Sequence, residues 1–346
     1  MPMKQMQRPV STLNLDQALR TRLHNAGYRT TADLKDVAAD SLAQQLKVSI
    51  DQAMSVLKQL KRDPLVSVSA LTALTRERQR SFVTTSCKAF DEMLGGSGVP
   101  AGRVTEICGA PGMGKTQIGM QLCVNAQILS SQGGEHGEAI YIDTEGSFIV
   151  ERVVEIAEAT LEALNAGKDS QDSQTIEQFL SRIHVFRIHS YVEQVALINQ
   201  LDDFLTEHPK VKVLIIDSIA FHFRQNFADM GLRTRLLNGM AQHLRRFAEE
   251  FDLAVVMMNQ MTTRVTRGQG SDNDSSVLVP ALGDSWGHAC TNRIILSWQY
   301  EVRYAALVKS PNLQECTIPY AITSKGVRDV PGHRPATNPR KRLLPT

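Results

Sequence analysis

The chemistry of this chain is concentrated first in Gly109-Ala110-Pro111-Gly112-Met113-Gly114-Lys115-Thr116. Glycines at 109 and 114 ahead of a Lys-Thr pair form the pattern of a phosphate-binding loop. Glycine lets the backbone turn its N–H groups inward onto phosphate oxygens. A helix beginning near Lys115 would add the positive end of its dipole. Lys115 has the reach to bridge β- and γ-phosphates, and the Thr116 hydroxyl can ligate Mg²⁺. The segment lies between an apolar run and a helical pattern, which is the context such a loop requires. ATP with Mg²⁺ is the expected ligand, held by Gly109, Ala110, Pro111, Gly112, Met113, Gly114, Lys115, Thr116 and the adjoining Gln117.

Three more polar groups close apolar runs. Asp217 follows Val213-Leu214-Ile215-Ile216, and a carboxylate there can hold Mg²⁺ through water. Residues 139–143 run into Thr144-Glu145-Gly146. An ATPase needs a carboxylate to orient and deprotonate the attacking water, and either Glu145 or Asp143 could supply it. Met257-Met258-Asn259-Gln260 ends a third run, where a side-chain amide could sense the γ-phosphate and signal to the following loop. That loop, 261–284, is long, polar and glycine-bearing, which favours a functional role. Arg264 and Arg267 at its start could meet a phosphate backbone, and Asp272 and Asp274 would oppose that.

The elements that must position these groups alternate. Strands are expected at 104–108, 139–143, 183–187, 213–217, 254–258 and 293–298, with two more at 305–308 and 316–322. Strand–helix alternation predicts an α/β fold, a mostly parallel central sheet covered on both faces. The last two strands have no helix between them and predict a mixed edge. The clearest helix is 232–251, where Leu236, Leu237, Met240, Ala241, Leu244, Phe247, Ala248 and Phe251 form one stripe. Residues 10–63 read as a bundle of four or five short helices. The expected organisation is a helical domain at 1–63, a linker at 64–81, the core at 82–328, and a disordered, proline-bearing basic tail at 329–346.

Composition bounds the function. The 346 residues suit about two domains. An apolar fraction of 42% with 21% charged residues excludes a mostly disordered chain. A net charge of only +2 means that nucleic-acid binding must come from local patches. One weak candidate is 1–63, with ten Lys/Arg against six Asp/Glu; a protein contact there is an equal reading. No run of about 18 apolar residues occurs, so no membrane is an expected partner. The polar first ten residues give no expectation of a leader. Cys87, Cys108, Cys123, Cys290 and Cys316 are scattered, which argues for a reducing compartment and against a zinc site or disulfide framework.

The phosphate loop, Tyr141-Ile142-Asp143-Thr144-Glu145-Gly146-Ser147-Phe148, the Asp217 strand, Asn259-Gln260 and Gly287-His288-Ala289 occur in that order. Together they resemble the RecA-like strand-exchange recombinases of eukaryotes and archaea, over about 10–329. Leu232-Arg233-Thr234-Arg235-Leu236-Leu237-Asn238-Gly239, Ser285-Trp286-Gly287-His288-Ala289 and Lys309-Ser310-Pro311 are similar to one paralogue branch, the C branch. The resemblance implies a RecA-like P-loop ATPase core after a small all-helical N-terminal domain. It implies that Glu145 is the catalytic glutamate, Arg152 packs on the base, Gln260 senses the γ-phosphate, and His288 senses nucleotide across a subunit boundary. It further implies DNA-binding loops at 223–232 and 261–282, which bring Arg224, Arg233, Arg264 and Arg267 toward single-stranded DNA. Other recombinase paralogue subunits and the main recombinase filament are the implied partners, in the nucleus.

Some features depart from the family. The recombinases insert a linker phenylalanine into the neighbouring subunit, whereas Ala70-Leu71-Thr72-Ala73 has no aromatic anchor. Burial of that ring is worth roughly 2 kcal/mol, so homofilaments are not expected by that route. Met230 replaces an arginine, and Leu46-Lys47-Val48-Ser49-Ile50 lacks a hairpin glycine. Lys309 stands where the recombinases carry an acid, and one expectation is that it reaches a neighbour's nucleotide; a solvated lysine is the other. Arg340-Lys341-Arg342 is an expected import signal. The intact ATPase set favours an active DNA-dependent ATPase in DNA repair, and the alternative is a scaffold with a structural, slowly turned-over nucleotide.

Overall fold

The structure, a computed structural model, describes residues 9–13, 15–34, 37–60, 67–165, 174–224, 227, 229–266, 275–283 and 285–332. It divides into two compact units, Met1–Arg78 and Gln79–Thr346.

The first unit contains α1 (Gln17–Asn25), α2 (Ala39–Leu46) and α3 (Ile50–Leu60), with 3₁₀ turns at Val10–Thr12 and Thr31–Leu34. Leu23, Leu34, Leu42, Leu46, Ala53 and Val56 form its buried core. Asp16 caps α1 by accepting the Leu19 N–H at 2.6 Å. After α2, Lys47 takes φ +52°, the left-handed region that a glycine would enter freely. Arg22 compensates by donating to the carbonyls of Leu46 (3.3 Å) and Lys47 (2.9 Å). The missing glycine therefore does not abolish the turn. A fourth helix, α4 (Ala70–Arg78), occupies half of the expected linker. Ser69 Oγ accepts the Thr72 N–H at 3.1 Å, and Ala, Leu, Arg and Glu are strong helix formers, so this stretch is ordered locally.

The second unit opens with β1 (Phe82–Val83), α5 (Lys88–Met93) and β2 (Val99–Pro100), where β1 and β2 pair antiparallel. Next come β3 (Arg103–Gly109), α6 (Lys115–Asn125), β4 (Glu138–Asp143), α7 (Val150–Asn165) and α8 (Ile176–Ser181). They are followed by β5 (Ile183–Arg187), α9 (Tyr191–Glu207), β6 (Val211–Asp217), α10 (Met230–Glu250) and β7 (Ala254–Asn259). The chain then forms β8 (Met261–Thr266), β9 (Ser275–Pro280), a 3₁₀ turn Ser285–His288, and the strands β10 (Asn292–Gln299), β11 (Val302–Lys309), β12 (Cys316–Thr323) and β13 (Gly326–Arg328). Among the described residues the main sheet has nine strands, in the order β13-β12-β11-β10-β3-β7-β6-β4-β5. It is parallel from β10 to β5 and antiparallel from β10 to β13, as the late strand pair predicted.

Both faces are covered, which is why the inner strands read as continuous apolar runs. Ile140, Ile142, Leu214, Ile216, Val255 and Met257 face α9 and α10. Tyr141, Val213, Ile215, Val256 and Met258 pack with Ile118 and Leu122 of α6 on the other face.

Three expectations need correction. The segment 261–284 is not simply a loop, because β8 and β9 pair antiparallel from Met261↔Pro280 to Thr266↔Ser275. Thr262, Thr263, Val277 and Val279 are β-branched residues that suit such a ladder. The expected first DNA loop ends earlier, because Asp229 Oδ1 accepts the N–H groups of Gly231 (2.7 Å) and Leu232 (3.0 Å) and so starts α10 at Met230. Asp329, placed in the expected tail, belongs to the core: it accepts the N–H groups of Lys88 and Ala89, both at 2.9 Å, and holds the start of α5. The tail from 333 and its basic cluster lie outside the described residues.

Candidate functional site

The carboxyl ends of β3, β4, β6 and β7 converge on one edge of the sheet, where open α/β folds bind ligands. The loop after β3 turns through Gly112 (φ +80°) and Gly114 (φ +93°). A Cβ on Gly114 would lie 2.9 Å from Ile322 Cγ1, so both conformation and space require glycine there. The Tyr320 hydroxyl donates to the Met113 carbonyl at 2.5 Å, and Arg303 donates to the Gly112 carbonyl at 3.4 Å. The N–H of a peptide points opposite to its carbonyl, so the Tyr320 contact turns the Gly114 N–H toward the other side of the loop, while the Met113 N–H closes on the Ala110 carbonyl at 3.4 Å.

Lys115 opens α6 with its Nζ folded back, donating to the carbonyls of Gly109 (2.7 Å) and Ala110 (3.0 Å). Burial pushes its ammonium below the usual range, while Asp217 and Glu145 pull it upward. The Thr116 hydroxyl donates to Asp217 Oδ2 at 2.6 Å, and the Tyr141 hydroxyl donates to the same oxygen at 2.7 Å. Burial pushes the Asp217 carboxyl above its ordinary range against those two donors. Two hard oxygens, one on a carboxylate whose charge is costly where it sits, fit a Mg²⁺ ion.

Asp143 and Glu145 have different surroundings. Asp143 is buried, and its Oδ1 accepts the N–H groups of Glu145 (3.2 Å), Gly146 (2.7 Å) and Ser147 (3.2 Å). Arg187 also lies 3.2 Å from that oxygen, so Asp143 is committed to shaping the loop. Glu145 is exposed on that loop, and its Oε1 accepts from Ser218 Oγ and from Gln260 Nε2, each at 2.5 Å. Gln260 Oε1 in turn accepts from Arg224. Arg224, Gln260, Glu145 and Ser218 thus form one hydrogen-bonded chain from the first loop to the end of β6 beside Asp217.

Arg152 on α7 donates to Gln117 Oε1 at 2.7 Å and to the carbonyls of Thr323 (2.5 Å) and Ser324 (2.7 Å), which braces its guanidinium beside the loop. Arg233 lies on α10 and donates through Nε to the Phe223 carbonyl at 2.8 Å. It is half-buried, and in the fold this cation holds the first loop's backbone. Arg264 is exposed on β8 opposite Val277, and Arg267 lies outside the described residues.

A model described as Rad51 matches residues 76–330. The chain belongs to the Rad51 family. It is similar to DNA repair protein RAD51 homolog 3 of Cricetulus griseus, with 42% identity over 94% of this chain and 93% of that one. The protein of the same description from Dictyostelium discoideum is 42% identical over 79% of this chain and 72% of its own length. DNA repair and recombination protein RadA of Metallosphaera sedula is 33% identical over 90% of this chain and 93% of its own.

In this Rad51-family chain His288 is exposed at the end of its 3₁₀ turn. Lys309 Nζ donates to the carbonyls of Gly287 (2.8 Å) and Cys290 (2.6 Å), and Arg245 Nε donates to that of Ala289 at 2.9 Å. Within the chain Lys309, expected either to reach a neighbour's nucleotide or to stand in solvent, braces with Arg245 the turn carrying His288.

Sequence reading assigned no role to Glu106, Ser218, Tyr141 or Tyr320. Glu106 is fully buried in β3, and it accepts from Arg293 Nε (2.6 Å), Asn259 Nδ2 (2.7 Å) and Trp286 Nε1 (2.9 Å). It ties the phosphate-loop strand to the strand of Gln260, to β10 and to the His288 turn. An acid inside Val104-Thr105-Glu106-Ile107-Cys108 was the available signal, since a buried carboxylate must be paired.

Proposed function

We propose that this chain is an ATP-hydrolysing DNA-repair protein. It acts as one subunit of a heteromeric complex of recombinase paralogues, binds single-stranded DNA, and assists the main recombinase filament in homologous recombination in the nucleus. The observation that carries this reading is the hydrogen-bonded chain Arg224–Gln260–Glu145–Ser218 beside the Thr116–Asp217 pair. Similarity to relatives named for DNA repair and recombination supports the process. No helix among the described residues is long and apolar enough to cross a membrane.

The residues divide the work. The loop 109–114 and Lys115 grip the triphosphate, Lys115 exchanging its two loop carbonyls for phosphate oxygens. Thr116 and Asp217 would hold Mg²⁺, which supplies charge neutralisation on the β- and γ-phosphates. Glu145 orients the attacking water and takes its proton, with Ser218 and Gln260 fixing the carboxylate. Gln260 and Arg224 connect that carboxylate to the first loop, and Gln260 leads directly into β8, which carries Arg264. DNA on these loops can thereby act on turnover.

The deciding experiment measures ATP hydrolysis with and without single-stranded DNA, with Lys115→Ala as the control. We expect turnover above that control, raised by DNA. Bound ATP with turnover no faster than the control would instead support the scaffold reading. A second prediction concerns Arg264→Ala. If β8 meets a phosphate, the slope of log affinity against log salt should fall by about 0.7 for single-stranded DNA, with all sequences weakened alike. An unchanged slope would place the contact elsewhere.

A further inference from the structure

At the amino edge of the sheet, opposite the nucleotide crevice, three potential metal ligands converge. Glu138 opens β4, His184 is the second residue of β5, and His208 follows α9. Glu138 Oε2 lies 2.9 Å from His184 Nε2 and 3.4 Å from His208 Nδ1. One ligand atom from each residue falls within 4.8 Å of the others. Phe204 seats both rings, stacking on His208 at 4.2 Å between centroids and meeting His184 edge-on at 5.2 Å.

We propose that Glu138, His184 and His208 form a binding site for a divalent transition-metal ion of zinc's class. A tetrahedral ion with bonds of about 2.0–2.1 Å holds its ligand atoms about 3.3–3.4 Å apart. The two contacts of Glu138 bracket that spacing, so small rotations of the side chains complete the set. Two imidazoles with one carboxylate suit Zn²⁺ and disfavour Mg²⁺ or Ca²⁺, which prefer oxygen alone. A neutral imidazole offers the nitrogen that faces the carboxylate by carrying its proton on the other nitrogen. The Glu138, His184 and His208 side chains are 20%, 23% and 34% exposed, which leaves a fourth position open to water. The ion would also sit at the carboxyl end of α9, where the helix dipole favours a cation. It would tie the outermost strand β5 to β4 and α9.

The test uses the full chain stripped of metal and free of nucleotide, with Cys316→Ser as background to remove the exposed thiol. Zn²⁺ is titrated against a chromophoric chelator, and Co²⁺ serves as a spectroscopic probe. We expect one tight Zn²⁺, four-coordinate Co²⁺ bands in the visible, and a rise in Tm on loading. Even outer-shell changes weaken metal sites by about 10–100-fold, so His184→Gln with His208→Gln should cost at least that much. Glu138→Gln keeps the hydrogen-bonding shape and loses the charge. It should weaken Zn²⁺ as well, while retained ATP binding shows that the fold is intact. Zn²⁺ affinity unchanged in both variants, or absent from the parent chain, overturns the proposal.

Discussion

Glu106→Ala should lower the stability of the ATPase core by about 3–5 kcal/mol, the cost of removing one partner from a buried ion pair. For a unit of this size 1 kcal/mol is worth about 2 °C, so Tm should fall by roughly 6–10 °C. Arg293, whose side chain is only 16% exposed, would lose the carboxylate 2.6 Å from its Nε. Asn259 and Trp286 would lose their acceptor in the same change, and unpaired buried donors are costly. Glu106→Gln keeps an oxygen for Asn259 and Trp286 but turns an amide NH₂ toward the Arg293 Nε–H and leaves that cation without its counter-charge, so it should recover only part of the loss. Thermal and urea unfolding of both variants gives the comparison. A loss below about 1 kcal/mol for the alanine variant would mean that Arg293 finds another partner, and would contradict this account. The effect should also reach the site, since Asn259 precedes Gln260 and Trp286 lies in the His288 turn.

Glu145→Gln should slow ATP turnover by about 10²–10⁴-fold, the usual contribution of a general base, while ATP binding persists. The substitution keeps shape and leaves an oxygen to accept from Ser218, so the loop held by Asp143 should not move. Only the ability to take a proton from water is lost. The variant should therefore accumulate in the ATP-bound state and hold any ATP-dependent assembly together. Lys115→Ala should behave differently, weakening binding itself because its ammonium contacts the phosphates directly. Single-turnover hydrolysis together with equilibrium nucleotide binding separates the two. Equal hydrolysis by the parent chain and Glu145→Gln would remove Glu145 from the catalytic role.

Much of the fold was legible locally. Strand 183–187 is found at its expected bounds, and the helix expected at 232–251 runs over Met230–Glu250. Both follow from apolar periodicity, which reports the side of an element that is buried. The phosphate loop was equally legible, because Gly112 and Gly114 occupy backbone conformations that other residues rarely adopt. The hairpin β8–β9 was not legible, since β8 is polar and threonine-rich and the apolar part of β9 is only Val277-Leu278-Val279.

What the sequence determined by itself was therefore the elements, their order, and the residue types at the nucleotide edge. Tertiary structure decided which partner each long or buried polar side chain meets. Arg233 and Lys309 both read as free cations, yet each donates to backbone carbonyls brought near it by other segments. Asp143 competes with Glu145 in the sequence; in the fold the loop wraps its N–H groups around Asp143 and leaves Glu145 beside Ser218 and Gln260. Glu106 finds Arg293 and Trp286 only because β10 lies next to β3 in the sheet. A backbone conformation is set by a residue and its near neighbours. A buried charge must instead be matched by whatever group the fold delivers, and that group is often a hundred or more residues away.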